Sequence, residues 1–119
     1  MPTFKRFEEM HAWRSAREPV KCIYEITRER DFYRDFGLRD QIRRAAVSVM
    51  SNIAEGFGRS TDKDKCKFFN YAKGSYAEFR AQAYIGIKAR YIPEDAGNFW
   101  IAESNKISAM LTGLMKYLE

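Results

Sequence analysis

The stretch Arg44–Glu78, RAAVSVMSNIAEGFGRSTDKDKCKFFNYAKGSYAE, decides the fold. Its first part carries Ala45, Val49 and Ile53 at spacings of four residues, which place them on one face of a helix. That pattern runs back through Ile42 to Leu38 and ends near Glu55, with Gly56 in the position expected of a C-cap glycine. A short glycine-bearing turn follows. A second pattern then begins at Thr61 or Asp62, where a hydroxyl or carboxylate can cap, and where Asp62 and Asp64 suit the positive end of a helix. Cys66, Phe69, Ala72, Tyr76, Phe79, Ala83 and Ile87 form its apolar seam, which reaches about Tyr91 before Pro93 stops it. Two long helices joined by so short a turn must lie antiparallel.

Working outward, the N-terminal third carries Phe7, Met10, Trp13, Ala16, Val20, Ile23 and Thr27 at helical spacing. This predicts a helix from about Thr3, the candidate cap, to Glu29. Pro19 lies inside it and should cause a kink, a local bulge or a break at Glu18. Residues 30–37 read as a connection whose Phe32, Tyr33 and Phe36 cover one end of the core. At the other end of the chain, Pro93-Glu94-Asp95 opens a helix with Trp100, Ser104, Ile107, Leu111, Leu114 and Leu118 on one face. No segment alternates with a period of two. The expected fold is all-α, an antiparallel up-down-up-down four-helix bundle forming one domain over residues 1–119. Within it, Gly74 and Gly86 each weaken an isolated helix by ~1 kcal/mol relative to Ala, and such glycines often allow close backbone approach.

The 119 residues are 45% hydrophobic and 15% aromatic, which excludes a disordered chain. No run is long and apolar enough for a membrane span, and the first residues lack the pattern of a secretory signal, so the expected compartment is the cytoplasm. Cys22 and Cys66 are then expected as reduced thiols. Two cysteines and one histidine are too few for an ordinary structural zinc site. Glu8 and His11 make half of a di-metal helix signature, but the second histidine that such a site needs is missing. The same count argues against a catalytic group built on histidine. No metal, cofactor or catalytic residue is assigned.

Two constellations remain. Arg44, Ser48, Asn52 and Glu55 line one side of the first arm of the hairpin, and Ser75 and Glu78 flank the seam of the second. With no nucleophile–base pair among them, they read as a structural polar network that fixes the register of two helices or of two subunits. The second constellation is basic. The formal net charge of +5 comes mainly from residues 61–92, with seven basic and three acidic groups, whereas residues 93–119 carry two and four. Arg39 and Arg43 near the start of one helix, and Arg59, Lys63 and Lys67 around the start of the next, are candidates for phosphate contact. The antiparallel hairpin puts these two clusters at opposite ends of a monomer. They can form one surface only as a stripe along the bundle, or as rings when subunits assemble. The competing reading is an ordinary solvated face. Phe57, Phe68, Tyr71 and Tyr84 fall off the centre of the seam and suit a subunit interface.

The order of these residues resembles a known family. Trp13-x-x-Ala16, then Arg44, Ala46, Ser48, Asn52-Ile53-Ala54-Glu55-Gly56 and Arg59, then Ala72-x-Gly74-Ser75-x-x-Glu78, are similar to the bacterial four-helix bundle proteins of the 23S rRNA intervening-sequence family, which includes the accessory protein of diversity-generating retroelements. The resemblance implies a left-handed antiparallel bundle and a ring-like homopentamer. It implies genes that in some members lie inside rRNA insertions, and in the retroelement member a basic surface that binds nucleic acid and the reverse transcriptase. Pro19 and the mild charge depart from the retroelement pattern. The expectation drawn is a non-enzymatic protein that self-assembles and binds RNA or DNA through basic surfaces. The alternative is a structural or adaptor protein that binds another protein and has no affinity for nucleic acid.

Overall fold

The computed structural model describes residues 4–119. Four long helices carry the fold: α1 (His11–Ile26), α3 (Phe36–Gly58), α4 (Asp62–Lys88) and α5 (Glu94–Leu118), with a short α2 (Arg30–Arg34) between the first two. No strand occurs among the described residues. Consecutive long helices pack side by side, and α5 closes on α1, so the order around the bundle is α1, α3, α4, α5. At 1.5 Å per residue the 27 residues of α4 span roughly 40 Å, close to the 44 Å long axis of the molecule.

Capping explains where the central helices begin. The Asp35 carboxylate accepts from the Leu38 amide at 3.2 Å and starts α3. Thr61 Oγ1 accepts from the Asp64 amide at 3.1 Å and starts α4, with Asp62 and Asp64 in its first turn. Both bonds satisfy amides that a helix leaves without an internal partner.

The apolar spacings meet in one core. Ile42, Val49 and Ile53 from α3 are buried with Phe69, Ala72, Tyr76 and Phe79 from α4, with Ala16 and Ile23 from α1, and with Trp100, Ile107 and Leu111 from α5. Pro19 is buried and lies within one uninterrupted helix, so α1 does not break at Glu18. The start of α1 differs from the expectation. Phe7–Glu9 form a single 3-10 turn, Met10 is extended and buried, and the helix begins at His11. Phe7 still meets Trp13, ring edge to face at 5.1 Å, but from a turn rather than from the same helix. The candidate cap Thr3 lies outside the described residues.

Two further corrections concern turns. Residues 30–34, read as part of a connection, form α2. Phe32 covers the core as expected, whereas Tyr33 and Phe36 are exposed. Phe32 stacks on Tyr91 at 4.8 Å, and the Tyr91 hydroxyl donates to Asp35 at 3.2 Å, tying α2, the start of α3 and the α4–α5 turn together. Gly56 is not a C-cap, because α3 continues to Gly58. It is buried where α4 crosses: a Cβ there would sit 2.7 Å from Phe69 Cε1 and 3.2 Å from the Lys65 carbonyl oxygen. Gly86 is a similar close-approach position, since an added Cβ would meet Ile92 Cδ1 at 2.5 Å. The left-handed residue that ends α4 is not glycine but Arg90, at φ 65°.

Gly56→Ala should therefore destabilise the fold by about 1–3 kcal/mol, because the fully buried Phe69 has nowhere to retreat. Urea denaturation would show a lower midpoint with an unchanged slope.

Candidate functional site

The residues singled out in the hairpin do not act as one network. Ser48 and Ser75 join α3 to α4 through a hydroxyl–hydroxyl hydrogen bond of 2.9 Å. The Asn52 amide nitrogen donates to the Ser48 hydroxyl at 3.0 Å and to the Ser48 carbonyl at 2.9 Å. Glu55 turns away and pairs with Arg59 at 2.7 Å, one turn along the chain. Arg44 and Glu78 form no ion pair among the described residues; with Gln41, Ala45, Ser48, Ser75 and Gln82 they line a cleft of about 400 Å³ between α3 and α4. The Ser-Asn-Ser cluster thus fixes register, and the two charges stand at its solvent side.

Each serine bonds the other and not an imidazole or carboxylate, so neither is primed as a nucleophile. Burial pushes both the Cys22 and Cys66 thiols up, away from the reactive thiolate. The Tyr76 hydroxyl is also pushed up, first by burial and then by the charge of Glu103. Among the described residues no group of three or more His, Cys, Asp or Glu is placed to hold a metal ion. Glu8 lies on the 3-10 turn and His11 opens α1, so the Glu-x-x-His pair does not share a helix.

The basic candidates divide into two kinds. Arg39 bonds Asp40 at 2.8 Å, donates to the Tyr33 carbonyl, and lies over the rings of Tyr33 and Phe36. That hydrogen bond holds the Asp40 carboxyl below its usual range. Arg43 donates from Nε to Thr27 Oγ1 at 2.7 Å and lies over Tyr24. Arg59 pairs with Glu55 and lies 4.3 Å above the centre of the Phe68 ring. Lys63 and Lys67 are exposed on the first turns of α4, four residues apart and, among the described residues, in no ion pair, with Lys67 Nζ 6.0 Å from the centre of the Tyr71 ring. Arg39 and Arg59 sit at opposite ends of the 23-residue α3. Sequence reading missed the aromatic partners of the arginines: Tyr24 and Arg43 come from different helices, whereas Phe36 and Arg39, three residues apart on α3, share a helix face. The Glu55–Arg59 pair, at helical i, i+4 spacing, was readable.

Fold and site together define a helical bundle protein with a polar, hydrogen-bonded central hairpin. The family model described as 23S rRNA-intervening sequence protein matches residues 8–113, and the chain belongs to that family. A crystal structure of a protein with unknown function from the S23 ribosomal protein family of Bacteroides thetaiotaomicron VPI-5482 has the same fold, with a TM-score of 0.79 at 20% identity over 88% of this chain and 98% of that one. No curated protein matches the chain. No helix among the described residues is long and apolar enough to cross a membrane.

Ser48→Ala should cost about 1–3 kcal/mol, because it leaves the buried Ser75 hydroxyl and one Asn52 contact without a partner. Ser75→Ala should cost less, since Ser48 keeps Asn52. The two variants and their double, followed by chemical denaturation, measure the coupling; additive losses would show that the hydroxyls do not act together.

Proposed function

We propose that this protein is a non-enzymatic bundle that assembles with copies of itself through the outward face of α4, and that the assembled basic residues hold RNA or DNA by its phosphates. The observation that carries the reading is the composition of that face. Tyr71, Gly74, Ala77, Ala81, Tyr84 and Ile85 lie along one exposed stripe, with Glu78 as its one acidic residue. Tyr71, Tyr84 and Ile85 are 47%, 56% and 54% exposed. Large apolar residues beside small ones suit a helix docking against another helix.

Gly74 sharpens the argument. Unlike Gly56 and Gly86, it has nothing within 4 Å of where a Cβ would stand. No packing inside the chain calls for a glycine there, although it costs the helix ~1 kcal/mol. A neighbouring copy approaching closely would call for it.

Lys63 and Lys67 head the same stripe. Packing α4 faces together around an axis gathers these lysines at one end, and a polyanion offsets their mutual repulsion. A homopentamer, implied by the family resemblance, is one such arrangement. The second reading is a structural or adaptor protein whose partner is another protein. The engagement of Arg39, Arg43 and Arg59 with partners in their own chain favours it.

Light scattering on a sizing column should find an oligomer for the native chain and a monomer for Ala81→Glu. In that monomeric background Gly74→Ala should raise stability by about 1 kcal/mol, while alone it should weaken assembly. A native chain that stays monomeric, or an Ala81→Glu chain that still assembles, removes the proposed face. For nucleic acid, binding to an RNA hairpin should fall as salt rises. Exchanging Lys63 and Lys67 for Glu should flatten the log–log salt slope by about two for each chain in contact. No binding at low salt leaves the adaptor reading.

A further inference from the structure

The α3–α4 cleft of about 400 Å³ is lined in levels. Ser48 meets Ser75 hydroxyl to hydroxyl at 2.9 Å, which fixes how the two antiparallel helices are aligned. Arg44 lies one turn before Ser48 and Glu78 one turn after Ser75, so the two charges stand at one level. Gln41 and Gln82, each a further turn away, share the next. At 1.5 Å per residue the three levels run roughly 10 Å along the groove. Apart from Ala45, every lining side chain ends in a polar group, and none is aromatic. Gln41 and Gln82 are the chain's only glutamines.

Two groups of this lining lack a partner inside the chain. Gln82 is only 8% exposed, and its buried Oε1 accepts no hydrogen bond among the described residues. A buried amide oxygen left unbonded costs stability, and a leucine of similar size would not incur that cost. The serines supply the second group. They hold two hydroxyl hydrogens between them, and the Ser48–Ser75 bond uses one. Asn52 donates to Ser48 and so uses neither. Thr27, Ser104 and Thr112 donate back to carbonyls of their own helices, but among the described residues Ser48 and Ser75 do not. One O–H donor is therefore left at the cleft, whichever serine holds it. Arg44 and Glu78 are exposed, as unpaired charges commonly are on this chain, and they carry weight only beside these two groups.

A guest that serves both groups must bring a donor for Gln82 Oε1 and an acceptor for the serine hydroxyl. An apolar guest brings neither. A simple anion suits Arg44 but meets Glu78 at the same level, and a simple cation meets the reverse. A metal ion finds a single carboxylate in the lining. A nucleobase carries donors and acceptors, but the lining has no ring to stack on it. A free α-amino acid with an uncharged polar side chain matches each level. Its carboxylate suits Arg44 and the serine hydroxyl, since a guanidinium holds a carboxylate through paired N–H groups. Its ammonium suits Glu78. A side-chain amide extended along the groove meets the glutamine level and can donate to Gln82 Oε1. The volume is that of a small-ligand site.

We infer that the α3–α4 cleft binds a free α-amino acid with an uncharged polar side chain. Arg44 and the serine hydroxyl hold its carboxylate, Glu78 its ammonium, and Gln82, with Gln41 opposite, its side chain. Glu78 borders the exposed stripe of α4, but Gln82 and Ser75 are buried behind it. The site needs neither a neighbouring copy nor a nucleic acid, so it can fail without the proposed function failing.

Titration of the full, isotopically labelled chain with L-glutamine, followed by nitrogen–proton correlation spectra, tests it. The side-chain amide signals of Gln41 and Gln82 are the reporters, because the chain has no other glutamine. The Gln82 signal should shift saturably, while the side-chain amides of Asn98 and Asn105 on α5 stay in place. Nα-acetyl-L-glutamine, which lacks the ammonium, and L-glutaminamide, which lacks the carboxylate, should each bind about tenfold more weakly. Arg44→Gln and Glu78→Gln should each weaken glutamine binding about tenfold. Gln82→Leu distinguishes an amide that serves a ligand from one that serves the fold. It should abolish binding and leave the urea midpoint at or above the native value, because no partner within the chain is lost. Sorbitol, an uncharged polyol, should give no saturable shift. The inference is overturned if the Gln82 signal does not respond to glutamine, or if sorbitol or either blocked glutamine matches the amino acid. It is also overturned if either charge variant binds as the native chain does, or if Gln82→Leu lowers the urea midpoint or keeps native binding.

Discussion

Everything else in this bundle is laid against the close crossing of α3 and α4. The crossing is tight because α3 has no side chain at Gly56, where the Phe69 ring takes the space a Cβ would fill. It is registered because Ser48 meets Ser75 hydroxyl to hydroxyl, and a slip along either helix would leave buried polar groups unpaired. One glycine sets the distance and three polar side chains set the position. Helices α1 and α5 then close the apolar face that the hairpin presents.

The ends of the bundle are held by different means. At the α2 end, Asp35 caps α3 and also accepts from the Tyr91 hydroxyl, so one carboxylate serves two elements. Tyr91 in turn stacks on Phe32. This arrangement needs the chain to reverse sharply after α4. Arg90 does so in the left-handed region, and Gly86 accepts from the Tyr91 and Ile92 amides. At roughly 1–2 kcal/mol, the strain at Arg90 is small beside the contacts that the turn completes. Gly86 and Gly97 then receive the side chains of Ile92 and Ile87 where the last two helices meet.

The long helices were legible because burial is periodic: Ile42, Val49 and Ile53, or Phe69, Tyr76 and Phe79, repeat at the spacing that a helix face requires. What was not legible depended on contacts between distant segments. Nothing near Phe7 says that Met10 will be extended and buried; that follows from where the core lies. Gly56 carries the same letter whether it caps a helix or admits a neighbour, and only the position of Phe69 decides. The polar stripe showed which side chains share a side of a helix, and so brought Ser48, Asn52 and Ser75 together. It could not show that Glu55 would turn to Arg59, or that Arg44 and Glu78 would stay apart. Gln41 and Gln82, far apart in sequence, line one cleft only once α3 and α4 are in register.

The arginines and glycines bear on function in opposite ways. A basic residue suggests an anionic partner, yet Arg39, Arg43 and Arg59 each have a ring beneath the guanidinium and a hydrogen bond to their own chain. Much of what drew attention to them is already explained by folding. A helix glycine suggests close approach, and for Gly56 and Gly86 folding explains that too. Gly74 differs from them, as Gly113 inside α5 does, because a Cβ there would meet only open space. Its neighbours on that face, Tyr71, Tyr84 and Ile85, are apolar surface that the bundle leaves in water. A feature that costs stability and has no use inside the chain points outside it. That is the ground on which we propose the exposed face of α4, more than the number of basic residues, as the docking face, with the lysines at its edge.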